Sequence, residues 1–185
     1  MTRTTWLPIT ALLLAGSVRA DEVFFRERIA PVLEDKGLLL LAQHIDAMST
    51  ATLVDIFRAE EDSCLLGTDA VRDGVDVPGR SLRLIVFDRV PWPRPDILHR
   101  ARKASWKTKM TGGGAGSANA YDDMLARLRL KQAYGRLIRR ADDRGVFVML
   151  DSRLPSRLLG AFPAGVSVER LGLAEAVEQV RGFLA

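Results

Sequence analysis

Apolar and polar positions along the chain fall into short segments of two kinds. Leu38–Ala42, Cys64–Leu66, Leu82–Phe87 and Val146–Leu150 are apolar runs too short for helices, each closed by polar or turn residues, and they read as buried strands. Between them lie stretches with apolar residues three and four apart. Val23–Glu34 has them at Phe24, Phe25, Ile29, Val32 and Leu33, and Gly37 ends the pattern. Ser49 or Thr50 can cap a helix running to Ala59 with Leu53, Ile56 and Phe57 on one face. Asp96–Trp106 and Tyr121–Arg140 read as helices, the second with apolar residues at 124, 125, 128, 130, 134, 137 and 138. A short helix, a strand near Val166–Val168 and a last helix over Leu173–Leu184 complete the pattern. Pro91-Trp92-Pro93-Arg94-Pro95 breaks the chain sharply, and Gly/Ser-rich Thr108–Ala120 is expected to be a mobile loop.

Short apolar strands alternating with amphipathic helices predict an α/β fold with a mostly parallel sheet flanked by helices. In such sheets ligands gather beyond the carboxyl ends of the strands, which directs attention to the residues just beyond Leu66, Phe87 and Leu150. The 185 residues fit one domain, and 48% hydrophobic with 27% charged residues excludes collagen, a coiled coil or a fully disordered chain. With Cys64 as the single cysteine there is no internal disulfide, and with His44 and His99 the only histidines a dedicated zinc cage is not expected. Met1–Ala20 resembles a secretory signal: Arg3, then apolar Trp6–Ala15, then Val18-Arg19-Ala20 as a cleavage-like end. The run is too short for a membrane span, and a buried strand or the start of a helix accounts for it equally.

Charge changes the picture in one place. Residues 94–144 hold 13 Lys and Arg against 5 Asp and Glu, a net of +8, while the rest of the chain has a net of −4. Such a stretch attracts polyanions, although a solvated helix face gives the same pattern.

Two segments carry candidate chemistry. Gly67-Thr68-Asp69-Ala70-Val71-Arg72-Asp73-Gly74-Val75-Asp76-Val77-Pro78-Gly79 comes directly after a strand. Its glycines let backbone amides face an anion, the Thr68 hydroxyl can hold a phosphate, and its three aspartates need compensation by a cation or donors. An ordinary strand-to-helix turn explains the same residues. In the second segment, Gln132, Gly135, Arg136 and Arg139 stand at i, i+3, i+4 and i+7 and are expected to share a helix face. Glycine inside a helix costs roughly 1 kcal/mol against Ala, so close approach of a backbone or ligand is expected at Gly135. Arg136 and Arg139 beside it form a multi-donor pair suited to phosphate oxygens.

Together these segments resemble motifs V and VI of superfamily 2 helicases of the DinG/XPD branch, and are most similar to the proteobacterial DinG-like members. Gly67–Gly79 matches G-T-x-x-x-x-[ED]-G-V-D-[VI]-P-G, and Gln132–Arg139 matches Q-x-x-G-R-x-x-R. Leu84–Phe87, Pro91-Trp92-Pro93 and Gly145–Arg153 resemble the same branch, over about residues 26–185. The resemblance implies a three-layer RecA-like (P-loop NTPase-like) domain at 26–185 behind a divergent or signal-like segment at 1–25. It implies a domain that closes over ATP held by the P-loop of another domain, with Mg2+ bound there. Gln132 and Arg136 would contact phosphate and Arg139 would be the arginine finger. Asp73, Gly74, Asp76 and Gly135 would line the nucleotide side, with Asp76 the main contact. Gly67, Thr68 and Arg72, with Arg100 and Arg102, would lie on the path of single-stranded DNA. The expected partners are that DNA and an N-terminal helicase domain absent from this chain, in DNA repair and in the cytoplasm.

The pattern also departs from the family. The chain has no G-x-x-x-x-G-K-[ST] and no D-E-x-H, one cysteine rather than the four of the branch's iron–sulfur site, and Arg72-Asp73 where Trp-Glu is common. The expected opening strand falls where the signal-like Trp6–Ala20 stands. The chain is therefore expected to be inactive in ATP hydrolysis alone. Two alternatives stay open: a non-catalytic nucleic-acid-binding remnant, and an exported protein of unrelated role.

Overall fold

A computed structural model describes residues 11–14, 30–69, 71, 77, 82–110, 119–139 and 143–184. Its strands are β1 (Ala11–Leu14), β2 (Leu39–Ala42), β3 (Ser63–Gly67), β4 (Leu84–Phe87) and β5 (Val146–Met149). They form one sheet in the order β2-β3-β1-β4-β5, and every pairing is parallel. The helices are α1 (Ala30–Glu34), α2 (Thr50–Ala59), α3 (Ile97–Met110), α4 (Ala120–Leu137) and α5 (Leu173–Leu184), with a 3-10 helix over Ser156–Ala161. This is the α/β parallel sheet that the alternating pattern predicts.

The middle strand comes from the segment read as either signal-like or a buried strand. Ala11–Leu14 pairs with β3 on one side and β4 on the other, Leu12 opposite both Leu65 and Ile85. The opening strand is thus present, inside the segment that reads as signal-like, and the sheet takes its centre from residues 1–25. Three expectations shift. The helix predicted from Val23 is described only as Ala30–Glu34, since 21–29 lie outside the described residues. Helix α3 runs on to Met110 and α4 begins at Ala120, so only 111–119 of the predicted loop lie between them, of which 111–118 are outside the described residues. Residues 166–168 are not a strand.

Local signals explain the rest. Ser49 caps α2 with its hydroxyl, which accepts from the Thr52 amide at 3.1 Å, satisfying one of the orphan donors of the first turn. Leu53, Val54 and Phe57 of α2 are buried against the sheet with Leu41, Leu65, Ile85 and Phe87. Helix α4 buries Ala126, Leu130, Ala133 and Leu137, one continuous stripe. The stripe includes two alanines that the hydrophobic count passes over, whereas Leu128 is 49% exposed. Its first half packs with Val90, Leu158 and Ala161, and its second half joins the α2 core. Phe147 of β5 bridges the two, stacked on Phe87 at 5.1 Å and edge-on to Phe162 at 5.4 Å.

Candidate functional site

Because all strands run the same way, the sheet has a carboxyl edge and an amino edge, and the two candidate segments divide between them. Gly67 ends β3 at the carboxyl edge, with Thr68 next in the chain. Gly67 is buried, and a Cβ there would overlap Cγ2 of Val71 and lie 2.6 Å from its Cβ, closer than any real contact, so only glycine lets the turn fold back on the strand. Arg72, Asp73, Gly74 and Asp76 lie outside the described residues. Val71 and Val77 on either side of them are 0% and 1% exposed, in the same core cluster as Ala133 and Leu137 of α4. The two segments therefore share a core.

The second segment stands at the amino edge. The Leu137 side chain lies against Gly145, which precedes β5, and against this same corner the Val146 amide bonds the Arg83 carbonyl ahead of β4. Gln132 and Gly135 are exposed on α4 and Arg136 is half-buried. Arg139 corrects the sequence reading. The helix ends at Leu137, and Ile138 is extended (φ −121°, ψ 108°), so Arg139 steps off the face that Gln132, Gly135 and Arg136 occupy. Its backbone amide is held by the Asp143 carboxylate at 2.8 Å. A Cβ at Gly135 would meet nothing within 4 Å, so none of the described residues makes the close approach that its helix-interior position predicts. The phosphate-suited guanidinium groups thus sit at the edge opposite to the one that strand polarity alone singles out.

Much of the basic stretch is used inside the fold. Arg129 donates to the carbonyls of Pro91 (3.1 Å) and Trp92 (2.9 Å), fastening the proline segment to α4. Lys103 bonds Asp122 at 2.5 Å, and His99 pairs with the same carboxylate at 2.8 Å, its ring stacked on Tyr121. The Arg127 guanidinium donates to the Arg157 carbonyl, and Arg157 in turn pairs with the buried Asp123 at 2.7 Å. Arg100 and Arg102 are exposed on α3.

Two further polar residues stand at the carboxyl edge: Gln43, which no sequence motif marks, and Asp151, which lies in the Gly145–Arg153 stretch without an assigned role. Gln43, 8% exposed, comes directly after β2 and reaches across to Thr68, accepting both its amide and its hydroxyl at 2.9 Å. Asp151 lies just beyond β5; it accepts from the Val90 amide at 3.3 Å and from the amide and guanidinium of Arg153. The Arg153 guanidinium, opposed by partial burial and helped by the two backbone amides, holds the Asp151 carboxyl below its ordinary value. The signal for both is position: each is the first or second polar residue beyond an apolar run.

The sequence model of the helicase C-terminal domain matches residues 6–166, most of the chain and including β1. The chain belongs to this helicase domain family. It is 44% identical over 115 residues to the ATP-dependent helicase DinG of Mycobacterium tuberculosis (strain ATCC 25177 / H37Ra), covering 62% of this chain and 17% of that protein. It is 39% identical over 114 residues to the ATP-dependent DNA helicase YoaA of Escherichia coli (strain K12), 61% and 17% of the two chains. It is 34% identical over 118 residues to the 3'-5' exonuclease DinG of Bacillus subtilis (strain 168), 64% and 12%. The chain is a DinG-like helicase C-terminal domain, and its matched part spans about a sixth or less of these relatives.

Proposed function

We propose that this chain acts as the second RecA-like domain of a DinG-type ATP-dependent DNA helicase, with its helices layered on both faces of the sheet and with Ala11–Leu14 as part of the domain. It closes over ATP and Mg2+ held by a P-loop domain outside this sequence. What carries the reading is the outward-facing Gly135 on α4, open beyond 4 Å, flanked by Gln132, Arg136 and, just beyond the helix end, Arg139. A helix glycine with no partner among the described residues suits a surface that receives something from outside. Guanidinium groups beside it fit phosphate oxygens, whose developing charge they neutralise in phosphoryl transfer.

The roles are those that the resemblance to the family's motifs implies, taken edge by edge. At the amino edge, Gln132 and Arg136 hold γ-phosphate oxygens and Arg139 reaches the same group as the finger. Its place on the extended segment after α4, tethered by Asp143, lets it move without unwinding the helix. Asp73, Gly74 and Asp76 complete the nucleotide side. At the carboxyl edge, Gly67 and Thr68 hold the backbone of single-stranded DNA, with Arg72, Arg100 and Arg102 along its path. ATP supplies the free energy of the phosphoanhydride bond, and the motif that begins at Gly67 and Thr68 connects hydrolysis to movement along DNA. On this reading the chain works in the cytoplasm on chromosomal DNA, in repair.

The chain alone hydrolyses no ATP on this account. Joined to the P-loop half of a DinG relative, it gives ATP hydrolysis stimulated by single-stranded DNA. A joined protein that folds, binds ATP and shows no turnover contradicts the proposal.

A further inference from the structure

The contact between Gln43 and Thr68 has an unusual form. Two donors of one residue, the Thr68 backbone amide and its hydroxyl, converge on a single oxygen, Gln43 Oε1, each at 2.9 Å. A backbone amide can only donate, so the sense of both contacts and the orientation of the Gln43 amide are fixed. At its other end Gln43 Nε2 donates to the Thr50 hydroxyl at 3.0 Å, at the start of α2. The turn carrying Gln43 is built for this. His44 next to it takes the left-handed conformation (φ 72°), which non-glycine residues adopt at some cost. The Asp46 carboxylate accepts the Ala42 amide at 2.7 Å, and the Gln43 amide bonds the Leu66 carbonyl of β3 at 2.8 Å.

We propose that the Gln43 side-chain oxygen holds the place of a DNA phosphate oxygen in the free domain and yields it when single-stranded DNA binds. This rests on the reading of Thr68 as a DNA-backbone contact. Two donors aimed at one point make a cradle for one anionic oxygen, and a phosphate oxygen forms shorter and stronger bonds with them than a neutral amide oxygen does. The exchange leaves no polar group unpaired. The Thr50 hydroxyl can donate as well as accept, so Gln43 can turn its amide over, accept from Thr50 through Oε1 and offer Nε2 to the phosphate as a third donor. The cradle stays satisfied without DNA and becomes a three-donor site with it, which an empty buried pair of donors could not do at so small a cost.

Glu at position 43 separates this from a merely structural role. Gln43→Glu keeps an oxygen for both Thr68 donors and so keeps the fold, but the carboxylate cannot donate and repels the incoming phosphate. Ala47→Glu, on the exposed part of the same turn, adds the same charge outside the cradle. Binding of a fluorescent oligothymidylate by the 185-residue chain at low salt is expected to weaken about tenfold or more in Gln43→Glu, and only about twofold in Ala47→Glu. In the wild-type chain, the same oligonucleotide is expected to shift the NMR signals of the Thr68 amide and the Gln43 side-chain amide together, a readout independent of how the variants fold. If the wild type binds but Gln43→Glu stays within twofold of Ala47→Glu, or those two signals do not move, the proposal is overturned while the DNA reading stands. If the wild type does not bind at low salt, the DNA reading falls and this proposal with it.

Discussion

Gly67 and Val71 are packed so tightly that a methyl group on the glycine would overlap Val71 Cγ2 and stand 2.6 Å from its Cβ. Val71 is fully buried, in one cluster with Ala133 and Leu137 of α4. The first turn after β3 is therefore set by a residue that also belongs to the core beneath the arginine segment. That contact ties the carboxyl end of β3 to the core that α4 shares.

Substitution at this contact is expected to be costly and non-additive. Gly67→Ala forces Val71 out of the core and should destabilise by about 1–3 kcal/mol, as overpacking does. Val71→Ala alone leaves a small cavity with a smaller loss. In Gly67→Ala/Val71→Ala the overlap with Cγ2 is removed while the Cβ at position 71 still stands 2.6 Å away, so the clash is relieved in part and the double variant should lose less than the sum of the two single effects. Thermal unfolding of the three variants checks this; a double variant that loses the sum of the two single effects contradicts the packing.

Asp151 makes a pH-dependent contribution to stability. Its carboxyl is held below 3.8, chiefly by the Arg153 guanidinium, so the ionised form is favoured by folding. The stability that this supplies is complete above the unfolded value and disappears as pH falls through the lower folded one. Asp151→Ala also strands the amide of Val90, a residue 5% exposed, and should cost about 1–2 kcal/mol near neutral pH. The gap between variant and wild type should narrow below about pH 4, because the wild type loses its own carboxylate there. Unfolding curves in urea across this range test it, and a gap that stays constant to low pH contradicts the assignment.

Arg100 and Arg102 are exposed on α3, Arg100 with its Nε donating to the Asp96 carbonyl at 3.4 Å, whereas the Arg129 guanidinium is held by the carbonyls of Pro91 and Trp92. If DNA passes over α3, Arg100→Ala and Arg102→Ala should each weaken oligothymidylate binding and lower the slope of log affinity against log salt by roughly 0.7. Unchanged slopes in both variants would take α3 off the DNA path.

The sheet is legible in the sequence because its strands are fully apolar runs between helical patterns, and four of the five stand within two residues of their expected limits. The fifth is ambiguous for a physical reason. A short apolar run after a positive charge is what both a central parallel strand and a signal segment require, and the pairing of Ala11–Leu14 with β3 and β4 is not written in the run itself. Periodicity misplaces the end of α4 because Leu137, Ile138 and Arg139 continue the helical spacing, while the bond from the Arg139 amide to Asp143 favours an extended exit that spacing does not register. Gln43 is silent in the sequence because a lone glutamine after a strand has no pattern. Its meaning lies in Thr68, 25 residues away.

The central claim is that Arg139 completes a nucleotide site that another domain begins, and the measurement that meets it most directly is steady-state ATP hydrolysis by a protein joining this chain to a P-loop domain, with and without Arg139→Ala. The account predicts that the substitution lowers kcat by roughly 10³-fold or more, while affinities for ATP and single-stranded DNA change about twofold or less, as expected of a group that acts in the transition state. Turnover within a few-fold of the unsubstituted protein would contradict it.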